Sequence, residues 1–190
     1  MLTKKEYNPW SHINSWIDPI EAEYWKLKIM QKAKWEQPLV SIYGSKYLVP
    51  RLTSFIGKKG ITYRYSGINH IANGWPVWFI PLLNSVIQAS QINFNGCLLN
   101  LYRNGNDRMG WHSDNEPELN PKMSIASLSL GSSRDFFFRE NNTKNKRTLL
   151  LRSGDLLIMD PLCQRDWQHS VPIRKKVLDL RINLTFRSYI

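Results

Sequence analysis

Leu180-Arg181-Ile182-Asn183-Leu184-Thr185-Phe186-Arg187 alternates without interruption. On an extended chain Leu180, Ile182, Leu184 and Phe186 fall on one face, and Arg181, Asn183, Thr185 and Arg187 on the other. That pattern, with no Gly or Pro inside it, predicts a strand whose apolar side rests on a core. The polar side carries two guanidinium groups and an amide, which suit recognition of a carboxylate. Upstream, Leu98-Leu99-Asn100-Leu101-Tyr102 puts Asn100 and Tyr102 together on one face. A small diacid between these two strands would meet arginines at its carboxylates and neutral donors alongside. Arg181 and Arg187 are separated by about 20 Å along an extended strand, so one small ligand reaches both only if the side chains converge or the strand bends.

Working outward, Cys97–Arg103, Ser124–Leu130, Asp135–Arg139, Thr148–Leu151, Asp155–Met159 and Val177–Arg187 are strand-like. Turn signals such as Asn104-Gly105-Asn106 and Ser153-Gly154-Asp155 separate them. Short strands at this spacing predict a mainly β sandwich or jelly roll with flanking helices. Asp18-Pro19 followed by Glu21 and Glu23 reads as a cap, a first-turn proline and an acidic first turn. The helix is expected to run to about Trp35, with Ile20, Tyr24, Leu27 and Met30 on its buried side. From Gln37 to Gly67 the chain reads as short strands and loops, and Pro81 opens a second helix through about Ala89. The 190 residues fit one domain, with helices and an N-terminal segment over 1–92 and a β core over 93–190.

The formal net charge is +11, which favours polyanions, nucleic acid first among them. Eight tryptophans and eight tyrosines interleaved with cations suit base stacking. No apolar stretch approaches the length of a membrane span, and no secretory signal follows Met1. Cys97 and Cys163 then read as reduced thiols, which implies the cytoplasm, or the nucleus in a eukaryote. A monomer is expected.

There are four histidines, His12, His70, His112 and His169. His112-Ser113-Asp114 is the one His-x-Asp; positions i and i+2 of an extended segment point to the same side. With His169 returned by a sandwich, they would form the two-histidine, one-carboxylate set of non-haem iron oxygenases. The pattern alone is weak, and the same ligands suit zinc.

From about Asn95 to Arg187 the chain resembles the catalytic core of the AlkB dioxygenases. Asn100-Leu101-Tyr102, His112-Ser113-Asp114, Ser133-Arg134-Asp135-Phe136, His169-Ser170 and above all Arg181-Ile182-Asn183-Leu184-Thr185-Phe186-Arg187 carry the resemblance. Pro50-Arg51 and Tyr63-Arg64-Tyr65-Ser66-Gly67 look like the nucleotide-recognition lid of the branch that repairs duplex DNA. Ile42-Tyr43-Gly44 stands where that branch has a hydrophobic finger. Tyr65 replaces a frequent phenylalanine and Asn115 a common acid, departures that bear on which lesion is preferred.

The resemblance implies a double-stranded β-helix (jelly roll) with an N-terminal nucleotide-recognition lid. It implies that His112, Asp114 and His169 bind Fe(II), with 2-oxoglutarate and O2 as co-substrates. Arg181 would bind the distal carboxylate of 2-oxoglutarate beside Tyr102 and Asn100, and Arg187 and Asn183 the keto-acid end. Tyr65 and Tyr63 would contact an extruded base, Glu116 its exocyclic amine, and Tyr43 would wedge into the stack. Phosphates would meet Lys46, Arg51, Lys58, Lys59, the 139–147 loop and Arg174-Lys175-Lys176. The implied activity is oxidative demethylation of 1-methyladenine and 3-methylcytosine in DNA. An RNA demethylase, a related oxygenase acting on protein or lipid, and a non-catalytic nucleic-acid-binding jelly roll are the other readings.

Overall fold

The computed structural model describes residues 8–42, 44–65 and 68–190; for 41, 42, 64, 65 and 68–70 it describes the backbone alone. In chain order the elements begin with β1 (Trp10–Ile13), α1 (Pro19–Lys32), β2 (Leu39–Ile42), β3 (Ser45–Leu48), β4 (Leu52–Gly57), β5 (Thr62–Tyr65) and β6 (Ile68–Ile71). A single 3-10 turn, Val77–Phe79, leads into α2 (Ile80–Ser90). There follow β7 (Gly96–Tyr102), β8 (Met109–His112), β9 (Ile125–Gly131), β10 (Arg134–Glu140), β11 (Lys146–Leu151) and β12 (Leu156–Met159). The chain closes with α3 (Pro161–Asp166), β13 (Trp167–Val171) and β14 (Arg181–Arg187).

The strands form a six-stranded sheet, ordered β1-β12-β9-β14-β7-β4, and a four-stranded sheet, ordered β11-β10-β13-β8. This is the mainly β jelly-roll arrangement expected. β14 lies inside the larger sheet between β9 and β7, antiparallel to both, with Arg181 opposite Tyr102 and Asn183 opposite Asn100. Every residue of β14 and β7 is buried. The alternation of β14 therefore encodes two buried environments rather than core and solvent. Ile182, Leu184 and Phe186 pack with Trp25, Ile29, Leu82 and Val86 of the two long helices. The polar face looks toward the smaller sheet, whose Phe136, Phe138 and Val171 pack with Tyr102, Leu157 and Met159.

β1 and β4, both from the first 92 residues, join the larger sheet through β12 and β7. The hairpins β2–β3 and β5–β6 stand apart as separate two-stranded sheets. In the turn before β12, Gly154 adopts φ +86°, and a Cβ there would lie 2.4 Å from the Ile17 carbonyl oxygen. A side chain at that position would clash as well as strain the backbone.

Asp18 caps α1, its carboxylate accepting from the backbone N–H groups of Ile20 and Glu21 at 2.8 and 2.9 Å. The buried stripe of α1 differs from expectation. Ala22, Trp25 and Ile29 face the core, while Ile20, Tyr24 and Leu27 are 84%, 51% and 59% exposed. Both stripes satisfy helical spacing; the one carrying the bulky Trp25, whose indole N–H bonds to Glu21, lies against the sheet. The helix also stops at Lys32, short of Trp35, because Ala33 is already extended.

Candidate metal and ligand site

β8 and β13 are neighbours in the smaller sheet, and their register sets His112 directly opposite His169. Their ring centroids are 4.2 Å apart. Asp114 follows two residues later, just past the end of β8, and turns the same way. One ligand atom from each of His112, Asp114 and His169 lies within 4.8 Å of the others. Two hydrogen bonds from the opposite strand's neighbourhood fasten this segment. Ser113 Oγ donates to the Trp167 carbonyl at 2.8 Å, and the Asp114 backbone N–H donates to Gln164 Oε1 at 2.9 Å.

The electrostatics suit a cation. His112 Nδ1 donates to the Gly110 carbonyl at 2.9 Å, which leaves the Nε2 lone pair available; Nε2 stands 3.6 Å from Asp114 Oδ1. Burial, then the neighbouring His112, pushes the His169 pKa down to about 3, so this imidazole is neutral, and its buried Nδ1 has no hydrogen-bond partner among the described residues. Phe136 stacks on the ring at 5.2 Å and holds its plane. Burial by itself would raise the Asp114 pKa, but the charge and hydrogen bond of Arg187 bring it down to about 2. Arg187 Nη2 donates to Asp114 Oδ1 at 2.7 Å, and Nη1 lies 3.6 Å from Glu116 Oε1. The site thus offers one carboxylate and two imidazoles, a donor set that fits a divalent metal.

A narrow cavity leads away from the triad between the two sheets, lined by Leu98, Asn100, Tyr102, Ser127, Asn183 and Thr185 among others. Its lining reaches Tyr102, whose ring carries the Arg181 guanidinium at 5.3 Å and that of Arg134 at 5.6 Å. Arg181 is 1% exposed, donates to Ser129 Oγ at 2.9 Å, and has Nε and Nη1 without a hydrogen-bond partner among the described residues. Burial, opposed by Tyr102 and reinforced by Arg134, lowers its pKa to about 10, so it remains a cation at neutral pH. A buried guanidinium with two unmet donors fits an anionic ligand group, such as the carboxylate of a keto-diacid. The two arginines of β14 do not converge; Arg187 serves the triad end and Arg181 the far end. Asn183 is committed internally, its Nδ2 donating to Ser127 Oγ and its Oδ1 accepting from Thr185.

Tyr63 is buried, packed on Phe55 and Tyr189 with Arg187 5.8 Å from its ring centroid, and burial raises its hydroxyl pKa. Glu116 is also raised, first by burial, and its Oε2 is buried without a hydrogen-bond partner among the described residues. Tyr43 lies outside the described residues, as does the side chain of Tyr65. Arg51 departs from expectation: it is 2% exposed and donates from Nε to Asn100 Oδ1 at 2.8 Å, so it is not at the surface where a phosphate would meet it. Arg174 is paired with Asp135, while Lys46, Lys58, Lys59, Lys175 and Lys176 are exposed. Gln164, Phe136 and Gly110 were missed as supports of the triad. Gln164 reaches Asp114 from α3 and Phe136 reaches His169 across the β10–β13 pairing, long-range approaches for which local sequence carries no signal, while the Gly110 carbonyl is a backbone group that any residue type would supply.

The family described as the 2OG-Fe(II) oxygenase superfamily matches residues 10–187. The mouse protein named DNA oxidative demethylase ALKBH2 is 39% identical over 156 residues, covering 78% of this chain and 65% of that protein. The human alpha-ketoglutarate-dependent dioxygenase alkB homolog 3 is 35% identical over 182 residues, covering 90% of this chain and 63% of that protein. The chain spans 56–65% of the length of the curated relatives it matches. The solved structure of OsALKBH1 superposes with a TM-score of 0.67 at 20% identity, over 96% of this chain and 99% of that one, a likeness of fold.

Proposed function

Since this chain belongs to the 2OG-Fe(II) oxygenase superfamily and is of the AlkB type, we propose that it removes alkyl groups oxidatively from damaged bases in DNA, 1-methyladenine and 3-methylcytosine foremost. The observation that carries this is the meeting of His112, Asp114 and His169 at one wall of a cavity that Asn100 and Tyr102 also line. His112, Asp114 and His169 hold iron(II) in this reading; family membership favours iron over zinc for the same ligands.

When bound, iron(II) with 2-oxoglutarate and O2 supplies the oxidation: 2-oxoglutarate becomes succinate and CO2, the N-methyl group is hydroxylated, and the hemiaminal releases formaldehyde. The protein's own work is positioning. Arg187 keeps Asp114 ionised as an anionic ligand, and the Gly110 carbonyl holds His112 in the tautomer that exposes Nε2. Arg181 receives the distal carboxylate of 2-oxoglutarate, with Tyr102 and Asn100 beside it. Asn183 braces the cavity wall through its internal bonds, and Arg187 lies nearest the keto-acid end.

A methylated base in a duplex must leave the stack to reach this site. Tyr65 and Tyr63 are proposed as its stacking neighbours, Glu116 as the acceptor for its exocyclic amine, and Tyr43 as the wedge. The test is incubation with iron(II), 2-oxoglutarate and methylated oligonucleotides, DNA and RNA, single- and double-stranded. Succinate and formaldehyde are expected in equal amounts with DNA, and neither with His112→Ala. Absence of both products from the wild-type protein on every substrate would overturn the proposal.

A further inference from the structure

Arg51 stands in the N-terminal segment, immediately before β4, yet its guanidinium reaches inward. Its Nε donates to Asn100 Oδ1 at 2.8 Å, and the two residues are 2% and 6% exposed. Asn100 occupies the middle of β7, opposite Thr53 on one side and Asn183 on the other, and lines the cavity that runs from the triad. Arg51 itself is not part of that lining.

A guanidinium can only donate, so the half of the Asn100 amide turned to Arg51 must be its oxygen. The half left for the cavity is Nδ2, a donor. Reversed, the amide would present an acceptor to an anionic ligand and would set two donors against each other at Arg51. An amide by itself has little preference between the two orientations, and the arginine supplies it.

We propose that Arg51 is a positioning residue for 2-oxoglutarate: it locks the Asn100 amide so that the cavity offers an N–H, and not an oxygen, to the ligand's carboxylate. The inference rests on the 2-oxoglutarate reading above and assigns Arg51 a role other than contact with nucleic acid. It also couples the segment that precedes β4 to occupancy of the cavity.

The experiment measures two affinities separately. Anaerobic titration of the iron(II)-loaded protein with 2-oxoglutarate, followed by its visible charge-transfer band, gives one. Fluorescence anisotropy of a methylated oligonucleotide with the manganese(II)-loaded protein gives the other. Arg51→Met is expected to weaken 2-oxoglutarate about tenfold, the scale of one charge-assisted hydrogen bond, and to leave oligonucleotide affinity and its salt dependence unchanged. In an Asn100→Leu background the same substitution should add nothing further, because its route to the ligand is gone.

Asn100→Asp guards against a folding defect in Arg51→Met. The carboxylate keeps a partner for Arg51 but offers the cavity only acceptors, so 2-oxoglutarate should again weaken at least tenfold. Unaltered 2-oxoglutarate affinity in folded Arg51→Met, or in Asn100→Asp, overturns the inference while leaving the proposed function standing. So does a loss of oligonucleotide affinity with a salt slope lower by about one, the mark of a phosphate contact. Failure of the wild-type protein to bind 2-oxoglutarate would sink both together, and that control is read first.

Discussion

Arg181 is the residue whose environment makes least sense without a ligand. It is fully enclosed, its Nε and Nη1 have no hydrogen-bond partner among the described residues, and while Tyr102 favours its charge, the neighbouring Arg134 is another cation that opposes it. An enclosed charge without a counter-ion destabilises the fold that holds it, and a carboxylate delivered from outside relieves that cost. Replacing Arg181 by Met should therefore leave the thermal midpoint of the ligand-free protein unchanged or raise it. The same variant should lose the stabilisation that 2-oxoglutarate gives the wild type, about 2.7 kcal/mol at a ligand concentration one hundred times Kd. Thermal melts with and without 2-oxoglutarate, in the presence of manganese(II), read both effects. A large drop in the ligand-free midpoint would mean that Arg181 is structural, contrary to this account. Arg187, six positions on, differs in having counter-ions: although its Nε and Nη1 also lack hydrogen-bond partners among the described residues, its charge is paired with Asp114 and Glu116, so it belongs to the triad's electrostatics.

Among the elements, α3 holds the metal segment in place although it carries no proposed ligand. Gln164 accepts from the Asp114 backbone N–H, and Trp167, the residue after the helix, accepts from Ser113. Gln164→Leu should remove the acceptor, leave a buried N–H unmet, and loosen Asp114 by roughly 1–3 kcal/mol of positioning. Metal affinity, followed by titration with manganese(II) or cobalt(II), should fall about tenfold or more, and Gln164→Glu, which retains an acceptor, should recover much of it. Equal affinity in Gln164→Leu would assign the bond a packing role only. This clamp also marks the limit of what sequence reveals. β14 was legible because strict alternation over a single strand is a local signal, β7 because an apolar run places Asn100 and Tyr102 on one face, and the turn at Gly154 because its residue type is required there. The buried stripe of α1 was not legible, since Ile20, Tyr24 and Leu27 form as regular a stripe as Ala22, Trp25 and Ile29, and the sheet decides between them. Nor was the approach of His169 to His112, which depends on β13 pairing with β8 across fifty-odd residues of intervening chain. The resemblance to a family supplied that contact where the residue pattern could only allow it.

At the scale of the molecule, positive charge is held in two settings. Arg181, Arg187, Arg134 and Arg51 are buried, and the surplus that makes the net charge +11 is carried largely by exposed lysines such as Lys46, Lys58, Lys59, Lys175 and Lys176. Salt acts on the two sets differently. Enclosed charges are shielded from mobile ions, whereas contacts between surface lysines and phosphates release counter-ions and weaken as salt rises. Kinetics on a methylated duplex between 50 and 200 mM salt should separate them. The KM for the oligonucleotide should rise steeply, by about 40-fold if three phosphates are contacted, while the KM for 2-oxoglutarate stays within about twofold. The maximal rate should change little, since Asp114, Arg187 and Arg181, the charged groups of the site, are buried. If both KM values climbed together, 2-oxoglutarate would be held by surface charge and the enclosed Arg181 would not be its partner. If neither climbed, the exposed lysines would be solvated bystanders, and recognition of the strand would rest on the aromatic residues of the N-terminal hairpins alone.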